Sequence, residues 1–300
     1  NIGSYVGGDI TAGTLAAGLW DKDEMSLFID LGTNGELVFG NRDFLMSCAC
    51  SAGPAFEGGD ISCGMRATDG AVEAAVIDEA TMEPKLTVIG DEGQKVVGIC
   101  GSGIIDLLAQ MRLNGWINIA GELNPESSPR IVYLPDENQY GAVYAHAEES
   151  ATGSPLYFSQ TDIDQYLDTK AAAYTMMECL LESAGIAFED LDHCYLSGAF
   201  PAHSDLESAI TIGIFPDLPR EKYRVLRNSS LDGARKVLLD HSQLAEAKEL
   251  LENIYCVQFA SIPDFLVRMQ AAKFIPHTDM NRFPSVQQKL SNPDCGMDKL

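Results

Sequence analysis

The sequence predicts an α/β fold in which a mixed sheet, part antiparallel meander and part parallel, is flanked by helices. Two observations carry this reading. Three short apolar runs near 26–31, 35–40 and 43–48 follow one another across tight turns, the pattern of a meander. Further on, strand-like and helical runs alternate, as in VVGICGSGIIDLLAQMRLNG (96–115) and HCYLSGAFPAHSDLESAITIG (193–213), and such alternation builds parallel strands. A chain of 300 residues, 46% of them hydrophobic, can bury the core this needs.

Taken in order, ITAGTLAAGLW (10–20) is small and apolar at helical spacing and suits a helix packed tightly on a neighbour. The meander follows, and then SAGPAFEGGDISCGM (51–65), a glycine-rich loop with a short helix. Strands are expected near 71–78, 85–90 and 95–99. The run 96–115 reads as strand, glycine turn and helix, with Ser102 as cap, Ile104, Ile105, Leu108 and Met111 as apolar face and Gly115 as stop. Residues 118–160 hold Pro125, Pro129, Pro135 and Pro155 without clear periodicity and read as an insertion. A long helix near 162–184 has Thr161 as cap, a stripe of Ile163, Tyr166, Leu167, Tyr174, Met177 and Leu181, and Gly185 as stop. In 193–213 a strand and glycine turn lead to a helix with Ser204-Asp205-Leu206-Glu207 as capping box. A strand near 223–226, helices 231–240 and 243–253, a strand 254–258 and a helix 262–271 complete the pattern, with 291–300 as a tail. The layout is that of a ribonuclease-H-like lobe, and ligands of such sheets sit beyond the carboxyl ends of the strands.

Composition narrows the function. Asp and Glu number 44 against 20 Lys and Arg, a formal charge of −24, so nucleic acid is not an expected partner. Eight cysteines in a chain too large to need staples point to a reducing cytoplasm. Cys48-Ala49-Cys50 lacks a second paired cluster and reads as buried small hydrophobes rather than half a metal site. No run is apolar for long enough to span a membrane.

The chemistry lies in the turns. In SLFIDLGTNGELVFGN (26–41) a hairpin needs only Asn34-Gly35. Asp30, Gly32 and Thr33 exceed that need: small residues let backbone N–H groups approach a phosphate, Thr33 adds a hydroxyl, and Asp30 can hold a metal-bound water. The glycine turns at Gly101-Ser102-Gly103 and Ser197-Gly198-Ala199-Phe200 also follow strands. All three turns are therefore expected to border one cleft. A helix start at 101–103 favours an anion. Glu57 and Asp60 are candidates to aim a water at a bound phosphate. His193 and His203 flank the third turn but read as surface or capping residues, and Met176-Met177 reads as core.

Together these motifs carry a resemblance. DLGTNGE (30–36), AGPAFEGG (52–59), GICGSGIID (98–106) and LSGAF (196–200), with VGGDI (6–10), IG (212–213), PDLP (216–219), NSSLDGA (228–234) and FIP (274–276), resemble the ATPase region of the reductive activators of corrinoid proteins. These belong to the acetate and sugar kinase, heat-shock ATPase and actin (ASKHA) superfamily. The resemblance implies ATP-driven reduction of a cobalt(II) corrinoid protein to cobalt(I), serving a methyltransferase system. It implies ATP and magnesium as cofactors, with Asp30 at the metal. Gly32, Thr33, Asn34, Gly35 and Glu36 correspond to a phosphate loop, and Ser197, Gly198, Ala199 and Phe200 to an adenosine loop. Gly101, Ser102, Gly103 and Asn228 are further nucleotide contacts, and Asp30 and Glu57 the catalytic carboxylates. Pro201 stands where the family usually has glycine, and stiffens that loop.

Neither an upstream Asp-Ile-Gly-Thr-Thr hairpin nor a ferredoxin-like cysteine cluster is found. The chain therefore reads as the carboxyl-terminal part of an activator: 1–24 a connecting helix from an upstream lobe, 25–290 the nucleotide-binding lobe, and the iron–sulfur cluster in the upstream part. ATPase activity is expected of the full-length protein, and a homodimer is an option. Three alternatives stand beside this: a small-molecule kinase of the same superfamily, a dehydratase-type activator with a cluster at a dimer interface, and a non-catalytic lobe that docks a partner.

Overall fold

The computed structural model describes residues 6–32, 34–50, 54–198, 201, 203–257 and 264–291. In chain order the first elements are α1 (Gly8–Ala17), β1 (Ser26–Leu31), β2 (Gly35–Gly40), β3 (Leu45–Cys50), β4 (Ala71–Ile77), β5 (Pro84–Val88) and β6 (Gly98–Ile99). There follow α2 (Gly101–Leu113), β7 (Ile131–Leu134), β8 (Gln139–Ala145), β9 (Leu156–Ser159), α3 (Gln160–Glu182) and β10 (His193–Ser197). The last are α4 (Leu206–Ile212), β11 (Tyr223–Leu226), α5 (Ser229–Leu239), α6 (Gln243–Asn253), β12 (Ile254–Cys256), α7 (Phe265–Ala272) and α8 (Pro284–Ser291). They fall into two compact units, one of residues 1–53, 175–203 and 218–266, the other of 54–174, 204–217 and 267–300.

The first unit is built on a six-stranded sheet ordered β11-β10-β1-β2-β3-β12. β1, β2 and β3 form the expected antiparallel meander, while β10 and β11 continue it in parallel on one side and β12 on the other. Leu27, Phe28, Ile29 and Leu31 are all buried, as in a central strand covered on both faces. α1 packs on α5 at small residues: a Cβ added to Gly233 would stand 1.9 Å from the carbonyl oxygen of Ala12. α1 ends earlier than its apolar run, because Gly18 takes φ 72° and donates its N–H to Thr14; a single 3-10 turn, Leu19–Asp21, follows. β3 starts two residues later than expected, since the turn closed by Asn41 N–H on the Phe44 carbonyl occupies the start of that run.

In the second unit β4 pairs with β5 antiparallel and β6 parallel, and α2 lies against β4. Residues 118–160 are not irregular throughout: β7, β8 and β9 form a three-stranded antiparallel sheet. Its strands are short and separated by prolines, so neither length nor periodicity betrays it in the sequence.

Helix caps also differ from expectation in two places. Ser159, not Thr161, caps α3: its Oγ accepts the N–H of Asp162 at 3.1 Å, and Asp162 Oδ2 accepts the N–H of Ser159 at 3.0 Å. Both hydroxyl residues have an acid three positions on, Asp162 and Asp164, but Thr161 already lies inside the helix and its N–H and Oγ–H donate to Gln139 Oε1 at 3.0 and 2.7 Å. Likewise Asp205, not Ser204, caps α4, accepting the N–H of Ser208 at 2.7 Å. The expected stripe of α3 (Ile163, Tyr166, Leu167, Tyr174, Met177 and Leu181) is buried throughout.

Lys170 of α3 organises the segment after α7. It is completely buried, and its ammonium donates to the carbonyl oxygens of Ala272, Phe274 (2.5 Å) and Pro276 (2.7 Å). Burial pushes its pKa well down, while three acceptors match the three protons of the ammonium. Replacement by an apolar side chain orphans three buried carbonyls, each costing about 1–3 kcal/mol when left unsatisfied. Lys170→Met is therefore expected to destabilise the chain by at least about 3 kcal/mol, measured by urea denaturation against wild type.

Candidate nucleotide site

The sheet of the first unit brings two of the three expected turns together. Asp30, next to last in β1, is paired with Glu36 on β2 and Ser197 on β10. Ser197 Oγ donates to Asp30 Oδ2 at 3.4 Å and lies 2.6 Å from Ser229 Oγ at the start of α5. Gly198 takes φ 105°, and a Cβ there would stand 2.1 Å from the Leu31 carbonyl oxygen. Only glycine allows this approach. The hairpin itself departs from the expected Asn34-Gly35 turn: Gly35 pairs with Leu31 as a strand residue, and Gly32 N–H donates to Asn34 O at 2.9 Å. Thr33, Ala199 and Phe200 lie outside the described residues. Asn228 spends its side-chain oxygen on capping α5, accepting the N–H of Leu231 at 2.9 Å.

The electrostatics are those of an acidic cluster without a cation. Burial raises the pKa of Asp30, and the charge of Asp9, in the first turn of α1, raises it further against the hydrogen bond from Ser197. Glu36 is pushed up to about 7 by burial, by Asp9 and by Asp30. No lysine or arginine is among the groups that set either value. Among the described residues no three His, Cys, Asp or Glu side chains are grouped to hold a metal. Hard oxygen donors with one or two carboxylates nonetheless fit magnesium, which keeps several waters and takes further ligands from phosphates.

The remaining candidates belong to the second unit. Ser102 does not cap α2: Cys100 holds the cap position without a side-chain bond, and Ser102 Oγ lies 3.4 Å from Cys100 Sγ inside the first turn. The glycines on either side of it serve close packing. A Cβ on Gly101 would meet the Phe56 carbonyl oxygen at 1.8 Å, and one on Gly103 the Val72 carbonyl oxygen at 2.3 Å. The same contact brings Glu57 beside the turn, its Cα 3.4 Å from the Gly101 Cβ position. One residue escaped the sequence reading. Asp106 is buried on α2 with Oδ1 lacking a partner, and burial, together with the charge of Asp205, pushes its pKa up to about 6. Its signal was an acid inside the apolar run Ile104-Ile105-Asp106-Leu107-Leu108. Cys48 and Cys50 are buried free thiols, and burial pushes Cys50 up to about 12, as suits their reading as apolar residues.

A meander extended by parallel strands, with an acid at the tip of its first strand and a glycine turn after the neighbouring parallel strand, defines an ASKHA-type domain. Within that class the assignment is specific: residues 24–287 match the family described as the C-terminal domain of RACo, the ASKHA domain, and the chain belongs to it. It is similar to the corrinoid activation enzyme RamQ of Eubacterium limosum, 31% identical over 271 residues that cover 88% of this chain and 45% of that protein. It is also similar to the Co(II) methylated amine-specific corrinoid protein reductase of Methanosarcina barkeri, 28% identical over 267 residues, 83% of this chain and 45% of that protein. A solved structure of a reductive activator for corrinoid, iron-sulfur protein matches with a TM-score of 0.86 and 41% identity over 95% of this chain and 45% of that one. The chain spans about half the length of the relatives it matches.

The raised pKa of Glu36 gives a pH signature. A carboxyl that holds its proton more firmly when folded contributes stability that is full below its ordinary value of 4.5 and is lost as pH rises through about 7. Glu36→Gln removes this dependence. The variant is expected to gain in melting temperature relative to wild type on going from pH 5 to pH 8, read by thermal unfolding in the absence of divalent cations.

Proposed function

We propose that this chain is the ATP-binding part of a reductive activator that drives a cobalt(II) corrinoid protein to cobalt(I). Membership of the RACo C-terminal family supports the activator role. The observation that carries the nucleotide assignment is the acid at the tip of β1, beside Ser197 and Glu36 and next to a turn that admits only glycine. In this reading Asp30 holds magnesium through water, and Gly32, Thr33, Asn34 and Gly35 offer backbone and hydroxyl donors to phosphate oxygens. Magnesium, when bound, neutralises phosphate charge. Asp30 orients, Glu36 yields its proton when positive charge arrives, and Ser197 keeps the Asp30 carboxylate turned to β10.

Energetics explains the need for ATP. A one-electron step costs ~1.4 kcal/mol for each 59 mV uphill, so a gap of roughly 250 mV asks for about 6 kcal/mol. Protein contact of micromolar affinity supplies about 8 kcal/mol, enough if the activator binds the reducible cobalt state more tightly than the resting one. Nucleotide then acts as a switch, and hydrolysis releases the corrinoid partner.

In the full-length protein, Asp30→Asn is expected to lower ATP hydrolysis by about 100-fold, the scale for loss of one charge-stabilising group, and cobalt(I) formation with it, followed by the visible spectrum of the corrinoid. A hydrolysis-resistant ATP analogue is expected to retain the corrinoid protein on the activator in gel filtration. Release at the ATP rate overturns the switch, and accumulation of a phosphorylated small molecule replaces this reading with that of a kinase.

A further inference from the structure

The β7–β8–β9 sheet carries a cavity of about 390 Å³ that the nucleotide reading leaves unused. Its lining is largely apolar, with Val132, Leu134 and Val143 among the walls and the ring of Tyr157 beside them; the Tyr157 hydroxyl is already engaged by Glu137 at 2.6 Å. One cation is set into this lining. Arg130 is only 5% exposed, and a buried guanidinium needs partners for its five donors.

Those partners are incomplete. Arg130 Nη2 donates to the carboxylate of Glu83, Nη1 reaches the Val143 carbonyl oxygen only at 3.4 Å, and the Nε–H is buried without a partner. Glu83 is the counter-ion, but it meets the guanidinium from a partly solvated position, its side chain 47% exposed. A desolvated arginine with donors to spare, inside apolar walls, has the two halves of a site for an organic acid. The planar fork pairs with two carboxylate oxygens at once, and the walls take the hydrocarbon body.

We propose that this cavity binds a small amphipathic carboxylate, an aryl or short alkyl acid, with Arg130 as its anchor. Glu83 competes for the same guanidinium, so it weakens the site while the site is empty and is displaced, in part, on binding. The proposal does not depend on the nucleotide assignment, because every residue it uses lies within 83–157.

Phenylacetate titrated into the 300-residue chain tests it, with the methyl groups of Val132, Leu134 and Val143 followed by NMR. Saturable shifts at these methyls are expected, with phenylacetamide, which has the same shape and no charge, binding roughly tenfold more weakly. Glu83→Gln removes the competitor from an exposed position and is expected to tighten phenylacetate several-fold; Arg130→Gln is expected to abolish binding. Because Arg130 is buried and its loss can cost the fold, the Glu83 variant carries the decision. No saturation by about 10 mM, a concentration that detects even millimolar affinity, overturns the proposal. So does equal binding of acid and amide, or weaker binding by Glu83→Gln.

Discussion

The approach of Gly198 to the carbonyl of Leu31 is the constraint on which the candidate site depends. At 2.1 Å from that oxygen a Cβ has no room, and the backbone there already sits at φ 105°. With glycine in place, the tip of β10 closes against the tip of β1. The parallel register then sets Ser197 beside Asp30, and the antiparallel register sets Glu36 on its other side. Asp30 and Glu36, on the two arms of one hairpin, meet Ser197, 167 residues away from Asp30 in sequence, because β2 and β10 share β1 as a neighbour. Ser229, hydrogen-bonded to Ser197, ties the same point to the start of α5.

Charge gives this arrangement its chemical character. Half-buried acids without a nearby cation resist ionisation, and Glu36 does so up to about pH 7. Such a cluster is costly to keep in an otherwise acidic molecule with a formal charge of −24. Exposed carboxylates that accept several hydrogen bonds behave in the opposite way. Asp78, for example, is held down to about 2 by hydrogen bonds from Lys85 and Thr81.

The glycines of the second unit carry a different lesson. Gly101 and Gly103 have the spacing of an anion-binding turn, yet each is also required where a helix lies against a carbonyl oxygen, of Phe56 and of Val72. One motif thus answers to packing and places Glu57 beside the helix start at the same time. Asp106, a turn further along, is the acid that such packing leaves without a full set of partners.

Much of this was legible beforehand. β1, β2 and β11 have their expected bounds, and the long buried stripe of α3 was evident from its period. Local rules sufficed there, because alternation, apolar spacing and glycine stops are properties of adjacent residues. The meander, the family and the acidic turn were likewise open to a reader of the residues alone. Tertiary structure decided the rest: which of two hydroxyls caps α3, that prolines between 118 and 160 separate strands rather than mark irregular chain, and that Lys170 holds three carbonyls a hundred residues away. It alone showed Glu36 to be an acid with a displaced pKa and Arg130 to be a buried cation short of partners. Burial and long-range pairing cause these properties, and neither is written in any local stretch of sequence.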